Sequence, residues 1–281
     1  MINFYKRAEE AAAIYSQNPK VKAIMLAGSV SRGWQDAFSD IEIHIFWSAD
    51  PSDEDRKSAI QQLNGEILSY FDYEEEEWSE SYIVDGIKIE ISSFRIETVE
   101  KVIEHVTEDF STSLDEQALL SAIEAGEALY GHDDIESMKQ KIAVYPDELA
   151  KAMIQERLEM GARWMNRAGL VHRKDYVLLY STITHVQHNL LGMLHALNGM
   201  YVQHPGFKWL HRTIGQMTIA PEIAAERFER VFTVEAPEAV SIMDYLIRDV
   251  YDLVEARYPD LDVETYRKKT EIVKGNTHWK Q

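Results

Sequence analysis

Asp40 and Glu42 alternate with Ile41, Ile43 and Ile45, and that alternation constrains the fold more than any other feature of the chain. Successive side chains of a strand point to opposite faces. The three isoleucines must therefore pack on one face, while the two carboxylates project together from the other. Neighbouring carboxylates repel unless a cation lies between them, and hard divalent cations take oxygen ligands from carboxylates and phosphates. About ten residues earlier, Gly28-Ser29 ends the short apolar run Val21 to Leu26. A phosphate-cradling turn beside a carboxylate pair points to metal-assisted chemistry at a phosphate.

A third carboxylate is found on the segment from Tyr82 to Ser92. Asp85-Gly86 between two alternating apolar runs is a hairpin signal. After that turn Ile87, Ile89 and Ile91 face one way, and Lys88, Glu90 and Ser92 the other. If this strand lies beside the first, Glu90 completes an acidic triad with Asp40 and Glu42. Lys88 then sits near enough to touch a phosphate. Three carboxylates carry enough charge to hold one or two metal ions. The two other common glycine-rich nucleotide signatures are absent: there is no G-x-G-x-x-G and no G-K-[ST].

The sequence G-S-x-x-x-G, then S-D-I-E-I, then K-I-E-I resembles the DNA polymerase beta-like nucleotidyltransferase superfamily. Within it the likeness is greatest to the kanamycin (aminoglycoside 4′) nucleotidyltransferases, over roughly residues 20–165. It includes Arg32, Ser39 before Asp40, and the helical segment Gln155 to Trp164. The resemblance implies transfer of AMP from ATP, with Mg²⁺, to a hydroxyl of a small molecule such as an aminoglycoside. It assigns Asp40, Glu42 and Glu90 to the metal, and Gly28, Ser29, Arg32, Ser39, Lys88 and Arg163 to the nucleotide. Glu159 matches the family's general base, with Glu156 as its near neighbour. Arg163 stands where the family has a lysine, which keeps the charge and changes its geometry. A homodimer is implied as well. Two alternative functions are an AMP transferase acting on proteins and a regulatory protein that binds nucleotide without transfer. A helical interaction module with incidental acidic strands is the third.

Composition narrows the setting. The chain has 281 residues, no cysteine, and a net charge of −19. Disulfides and thiolate metal sites are excluded. The acidic balance argues against nucleic acid as a standing partner, and an acidic cleft would concentrate a polycationic acceptor. The chain has no apolar stretch of about 18 residues, so no membrane span is expected. No secretory signal is read at Met1 to Lys6, and a cytoplasmic location is expected.

The pattern shifts from mixed to helical near residue 145. We read an α+β architecture: a small mixed sheet with flanking helices (1–145), the nucleotidyltransferase domain, then an all-α bundle for the acceptor (146–281). Helices are expected at 2–17, from Pro51-Ser52-Asp53 to about Tyr70, and at 96–108, 115–129, 147–168, 174–199, 221–232, 237–257 and 262–273. The helix from 147 carries Glu159, with Arg163 one turn on. Glu74 to Glu77 reads as a solvated edge. His185, His188 and His195 share a helix, yet without an H-E-x-x-H pattern they read as packing or surface histidines. Trp209 reads as a core anchor.

Overall fold

A computed structural model describes residues 4–273. Residues 2 and 3 of the first expected helix lie outside the described residues. The chain divides into two units, Met1–Asp109 with Leu119–Val144 and Phe110–Ala118 with Tyr145–Gln281.

The first unit is built on the alternation read above. Its elements are α1 (Phe4–Tyr15), β1 (Val21–Ala27), the single turn α2 (Gly28–Ser31), β2 (Ile41–Trp47), α3 (Asp53–Gln62), β3 (Glu66–Tyr70), β4 (Trp78–Val84), β5 (Ile87–Arg95) and α4 (Ile96–Thr107). Then come α5 (Leu114–Ala125), of which the part from Leu119 belongs to this unit, β6 (Glu127–Tyr130) and α6 (His132–Ile142). The six strands form one mixed sheet in the order β3-β4-β5-β2-β1-β6. Only β2 and β5 run parallel. Isoleucines 41, 43 and 45 of β2 and 87, 89 and 91 of β5 are buried in one cluster with Ala8, Ala11 and Ala12 of α1 and Ala59 and Ile60 of α3. The opposite sheet face carries Met25, Phe46 and Phe94, and α4 and α6 pack there. The Asp85-Gly86 turn joins β4 to β5 with both residues at positive φ (49° and 80°), as a two-residue hairpin of the primed type requires.

Two expected helices end early, and a strand follows each. The helix from Asp53 stops at Gln62 because Asn64, at φ 55°, and Gly65 break it. The run Glu66–Tyr70 then pairs antiparallel with β4 as a sheet edge. Likewise the helix expected over 115–129 ends at Ala125, and Glu127–Tyr130 pairs with β1 as the other edge. Helix α6 was not anticipated. Glu74, Glu75 and Glu76 are exposed.

Under the first core lies a buried ion pair. Arg56, 1% exposed, donates Nε–H to Glu80 Oε2 at 2.8 Å, and its Nη2 lies 2.6 Å from the same oxygen as an ion pair. Its Nη2 also donates to the carbonyls of Phe71 and Ser79, and its guanidinium lies over the Tyr70 ring. Burial outweighs Arg56 and pushes the Glu80 carboxyl up to about 7.

The start of α3 is closed by a capping box, with Ser52 Oγ accepting from the Asp55 amide and Asp55 accepting from the Ser52 amide. Lys20 and Asn18 also donate to Asp55, each at 2.7 Å. Burial raises the Asp55 pKa, yet these donors outweigh it and hold the carboxyl well below the usual range. A depressed carboxyl contributes stability that is present above its unfolded pKa and lost as pH falls through the folded one. Asp55→Asn is therefore expected to cost about 1–2 kcal/mol at pH 7, the usual worth of a cap. The gap to wild type should close progressively below about pH 4. Urea denaturation of both proteins across that range checks it; a gap that persists undiminished at pH 2 would refute the account.

The second unit is helical: α7 (Asp147–Arg157), α8 (Ala162–Met165), α9 (Arg167–Arg173), α10 (Tyr176–Leu197), α11 (Leu210–Ile214), α12 (Ala224–Arg230), α13 (Ala236–Arg257) and α14 (Val263–Glu271). Helix α10 is its axis, with Leu179, Ile183, Val186, Leu190 and Leu194 fully buried, and it packs on α7 and α13. The helix expected over 147–168 is broken. Gly161, at φ 80° and ψ 155°, cannot continue it, so α7 ends at Arg157 and α8 begins at Ala162. Among the described residues no helix is long and apolar enough to cross a membrane.

Candidate metal and phosphate site

Asp40, Glu42 and Glu90 converge on the sheet face opposite the isoleucine core. The parallel pairing sets Ile41 beside Ile89 and Glu42 beside Glu90. One carboxylate oxygen from each of the three residues lies within 4.8 Å of the other two, and all three side chains are half-buried. Lys88, two residues before Glu90 and hence on the same face, places Nζ 3.4 Å from Asp40 Oδ2 and in hydrogen-bond contact with Glu90 Oε1. The bond to Glu90 raises the Lys88 pKa, against a smaller opposing effect of burial.

Gly28 is what lets the turn approach this cluster. It sits at φ +66°, where side chains are strained, and a Cβ there would run into the Glu42 carboxylate. The following turn is tied down by Tyr5, whose hydroxyl donates to the Val30 carbonyl, and by Trp34, whose amide donates to the Ser29 carbonyl. Arg32 follows α2. Its Nη2 donates to the carbonyl and hydroxyl oxygens of Ser121 at 2.7 and 2.9 Å. Burial lowers its pKa, while Glu124 and Glu42 act in the opposite direction. Ser39 has a local role: its Oγ accepts from the Asp36 amide and donates to the Asp36 carboxylate. That closed turn feeds Asp40 and leaves Phe38 97% exposed.

The hard oxygen donors suit a divalent cation. The cradle beside Glu42, which a Cβ would fill, suits close approach of a phosphate to the Gly28-Ser29 backbone. Two residues on this face were not singled out from the sequence. Ser81 of β4 stands in register with Glu90, and His44 lies two residues beyond Glu42. Burial holds the His44 imidazole down to about 4, and its ring meets Phe94 edge-on. The period-two spacing from Glu42 was the signal that could have found His44. Nothing local marks Ser81.

Glu159 and Arg163 belong to the second unit, and their geometry corrects the single-helix expectation. Glu159 lies in the break between α7 and α8, not on a helix, so Arg163 is not one turn along from it. The Glu159 carboxylate accepts from the Gly161 amide at 3.2 Å and from Lys269 Nζ at 2.9 Å. Its carbonyl accepts from Asn189. The cation beside Glu159 is thus Lys269 of α14, while Arg163 is exposed. Glu156 is exposed too and pairs with Arg157.

The three histidines of α10 differ in setting. His195 is buried, with Nδ1 2.8 Å from the Leu191 carbonyl, and burial holds its pKa down to about 4. His188 and His195 flank the Phe207 ring, and His185 is exposed. Trp209 is not a core anchor. It takes a left-handed conformation at the start of α11 and is 36% exposed; Phe207 takes the inward place on that loop.

A family described as a domain of unknown function (DUF4037) matches residues 112–210. No curated protein matches the chain. The crystal structure of a nucleotidyltransferase-like protein from Exiguobacterium sibiricum 255-15 aligns over 92% of this chain and 81% of that one, with 11% identity and a TM-score of 0.42.

Proposed function

We propose that this protein is a Mg²⁺-dependent nucleotidyltransferase that moves AMP from ATP to a hydroxyl of a small molecule. The observation that carries the reading is the convergence of Asp40, Glu42 and Glu90 on adjacent parallel strands, beside a glycine turn that leaves room at Glu42. The resemblance of these motifs to kanamycin nucleotidyltransferases supports it. Asp40, Glu42 and Glu90 would hold the metal ion, which when bound supplies Lewis-acid stabilisation of the phosphate charge. Backbone N–H groups of Gly28 and Ser29 orient the triphosphate, and Arg32 offsets charge on the departing pyrophosphate. Glu159 takes the proton of the acceptor hydroxyl. The acceptor oxygen forms a bond to the α-phosphorus as the bond from that phosphorus to the pyrophosphate oxygen breaks. An aminoglycoside is the acceptor class the resemblance suggests, and the net charge of −19 suits a polycation. We extend the proposal to a cytoplasmic homodimer, without nucleic-acid or membrane partners.

The test is a screen for pyrophosphate release with ATP and Mg²⁺ against a panel of hydroxylated amines and sugars. Acceptor-dependent release supports the reading. ATP binding without transfer to any acceptor would point instead to a nucleotide-binding regulator. In the active pair, Glu159→Gln should lower turnover about 10²-fold, within the usual worth of a positioned base, with ATP affinity little changed. Wild-type turnover in Glu159→Gln would remove Glu159 from the mechanism.

A further inference from the structure

We propose that Lys88 is the built-in counter-cation of the carboxylate cluster. A metal ion alone must compete with it, and a bound triphosphate draws it aside. Lys88 thereby couples metal affinity to nucleotide occupancy. This rests on the reading of Asp40, Glu42 and Glu90 as the metal site.

Placement is the first ground. Strand alternation puts Lys88 on the face of Glu90, and the parallel register, with Ile41 beside Ile89, brings it level with Asp40. Its ammonium touches two of the three prospective ligands, Asp40 and Glu90. Those two carboxylates and Glu42 each offer an oxygen within 4.8 Å of the other two. An incoming divalent ion needs the same lone pairs, so the two cations meet at contact distance, where like charges repel most strongly.

Mobility and chemistry are the second ground. The Lys88 side chain is 40% exposed, and a lysine stem has four rotatable carbons with three donors at its tip. It can leave the cluster without disturbing β5, whose buried isoleucines face the other way. The Gly28-Ser29 turn beside Glu42 provides the phosphate cradle. A triphosphate there brings anionic oxygens that can accept the displaced ammonium. The cost of displacement then falls when nucleotide is present. Thermodynamic linkage requires the reverse effect of equal size, so metal also tightens nucleotide binding through Lys88.

The experiment measures Mn²⁺ binding to the full-length protein by electron paramagnetic resonance, alone and with α,β-methylene-ATP. Lys88→Met should bind Mn²⁺ alone about tenfold more tightly than wild type, the order expected for removing one nearby, partly screened charge. The gain in Mn²⁺ affinity on adding the nucleotide analogue should shrink in the same variant. Lys88→Arg keeps the charge and should resemble wild type for Mn²⁺ alone, which separates charge from packing. Adding Asp40→Asn to Lys88→Met should abolish the tight site. Equal Mn²⁺ affinity in wild type and Lys88→Met, lost with Asp40→Asn, would overturn the role of Lys88 and leave the metal site standing. Absence of specific Mn²⁺ binding in every protein, with or without nucleotide, would overturn both.

Discussion

Asp40→Asn is expected to remove transfer activity almost completely and leave the fold intact. Asparagine keeps the shape of aspartate and one carbonyl oxygen, but it loses the charge that holds a divalent ion. Asp40 precedes β2, outside the isoleucine core, and its carboxylate accepts from Lys88 Nζ at 3.4 Å. Losing it removes one of three anionic ligands from a cluster whose oxygens already lie close together. We expect turnover to fall about 10³-fold or more, roughly 4 kcal/mol of lost transition-state stabilisation. Stability should change by less than about 1 kcal/mol, as for most half-exposed positions, because relief of carboxylate repulsion offsets the lost contact with Lys88. Pyrophosphate release with an identified acceptor, read beside a urea melt, checks both halves. Turnover within threefold of wild type would sink the metal assignment.

Arg56→Met should strongly destabilise the first unit. It leaves the Glu80 carboxylate in the core without the guanidinium that now donates Nε–H to Oε2 and holds Nη2 2.6 Å from it. Breaking a buried pair on one side costs about 3–5 kcal/mol, because the remaining charge is uncompensated. The loss should also depend on pH. Even with Arg56 present, burial places the Glu80 carboxyl at about 7, above its ordinary 4.5. Without Arg56 it lies higher still. The folded variant then binds a proton that the unfolded chain has released, so its stability falls as pH rises from about 4.5. The penalty relative to wild type should be smaller at pH 5 than at pH 8. Adding Glu80→Leu should recover part of it, since an apolar pair strands no charge. A penalty below about 1 kcal/mol at pH 8, or one independent of pH, would refute this account of the core.

Part of the candidate site was legible in the linear order of residues, because its rules are local. Period-two alternation assigns Asp40, Glu42, Lys88 and Glu90 to one face of their strands and six isoleucines to the other. Asp85-Gly86 dictates a tight turn through its two positive φ angles. The edge strands β3 and β6 were not legible. Each is five residues or fewer and follows a good helical run, and what makes it a strand is hydrogen bonding to a partner distant in sequence. The break at Gly161 was hidden as well. One glycine inside a helix costs only about 1 kcal/mol, which packing can override either way. Here the backbone at Gly161 left the helix, and Glu159 acquired Lys269 as its neighbour from 110 positions away.

The sequence by itself therefore determined which side chains share a face, since that follows from backbone geometry within a few residues. It also excluded thiolate chemistry, by containing no cysteine. Only the tertiary structure decided that β5 lies parallel beside β2, so that Glu90 meets Asp40 and Glu42 and Lys88 enters the same cluster. It alone seated the Glu42 carboxylate against the bare face of Gly28 and buried Arg56 with Glu80. Strand neighbours and ion-pair partners are chosen by packing across the whole chain, and no local period encodes that choice.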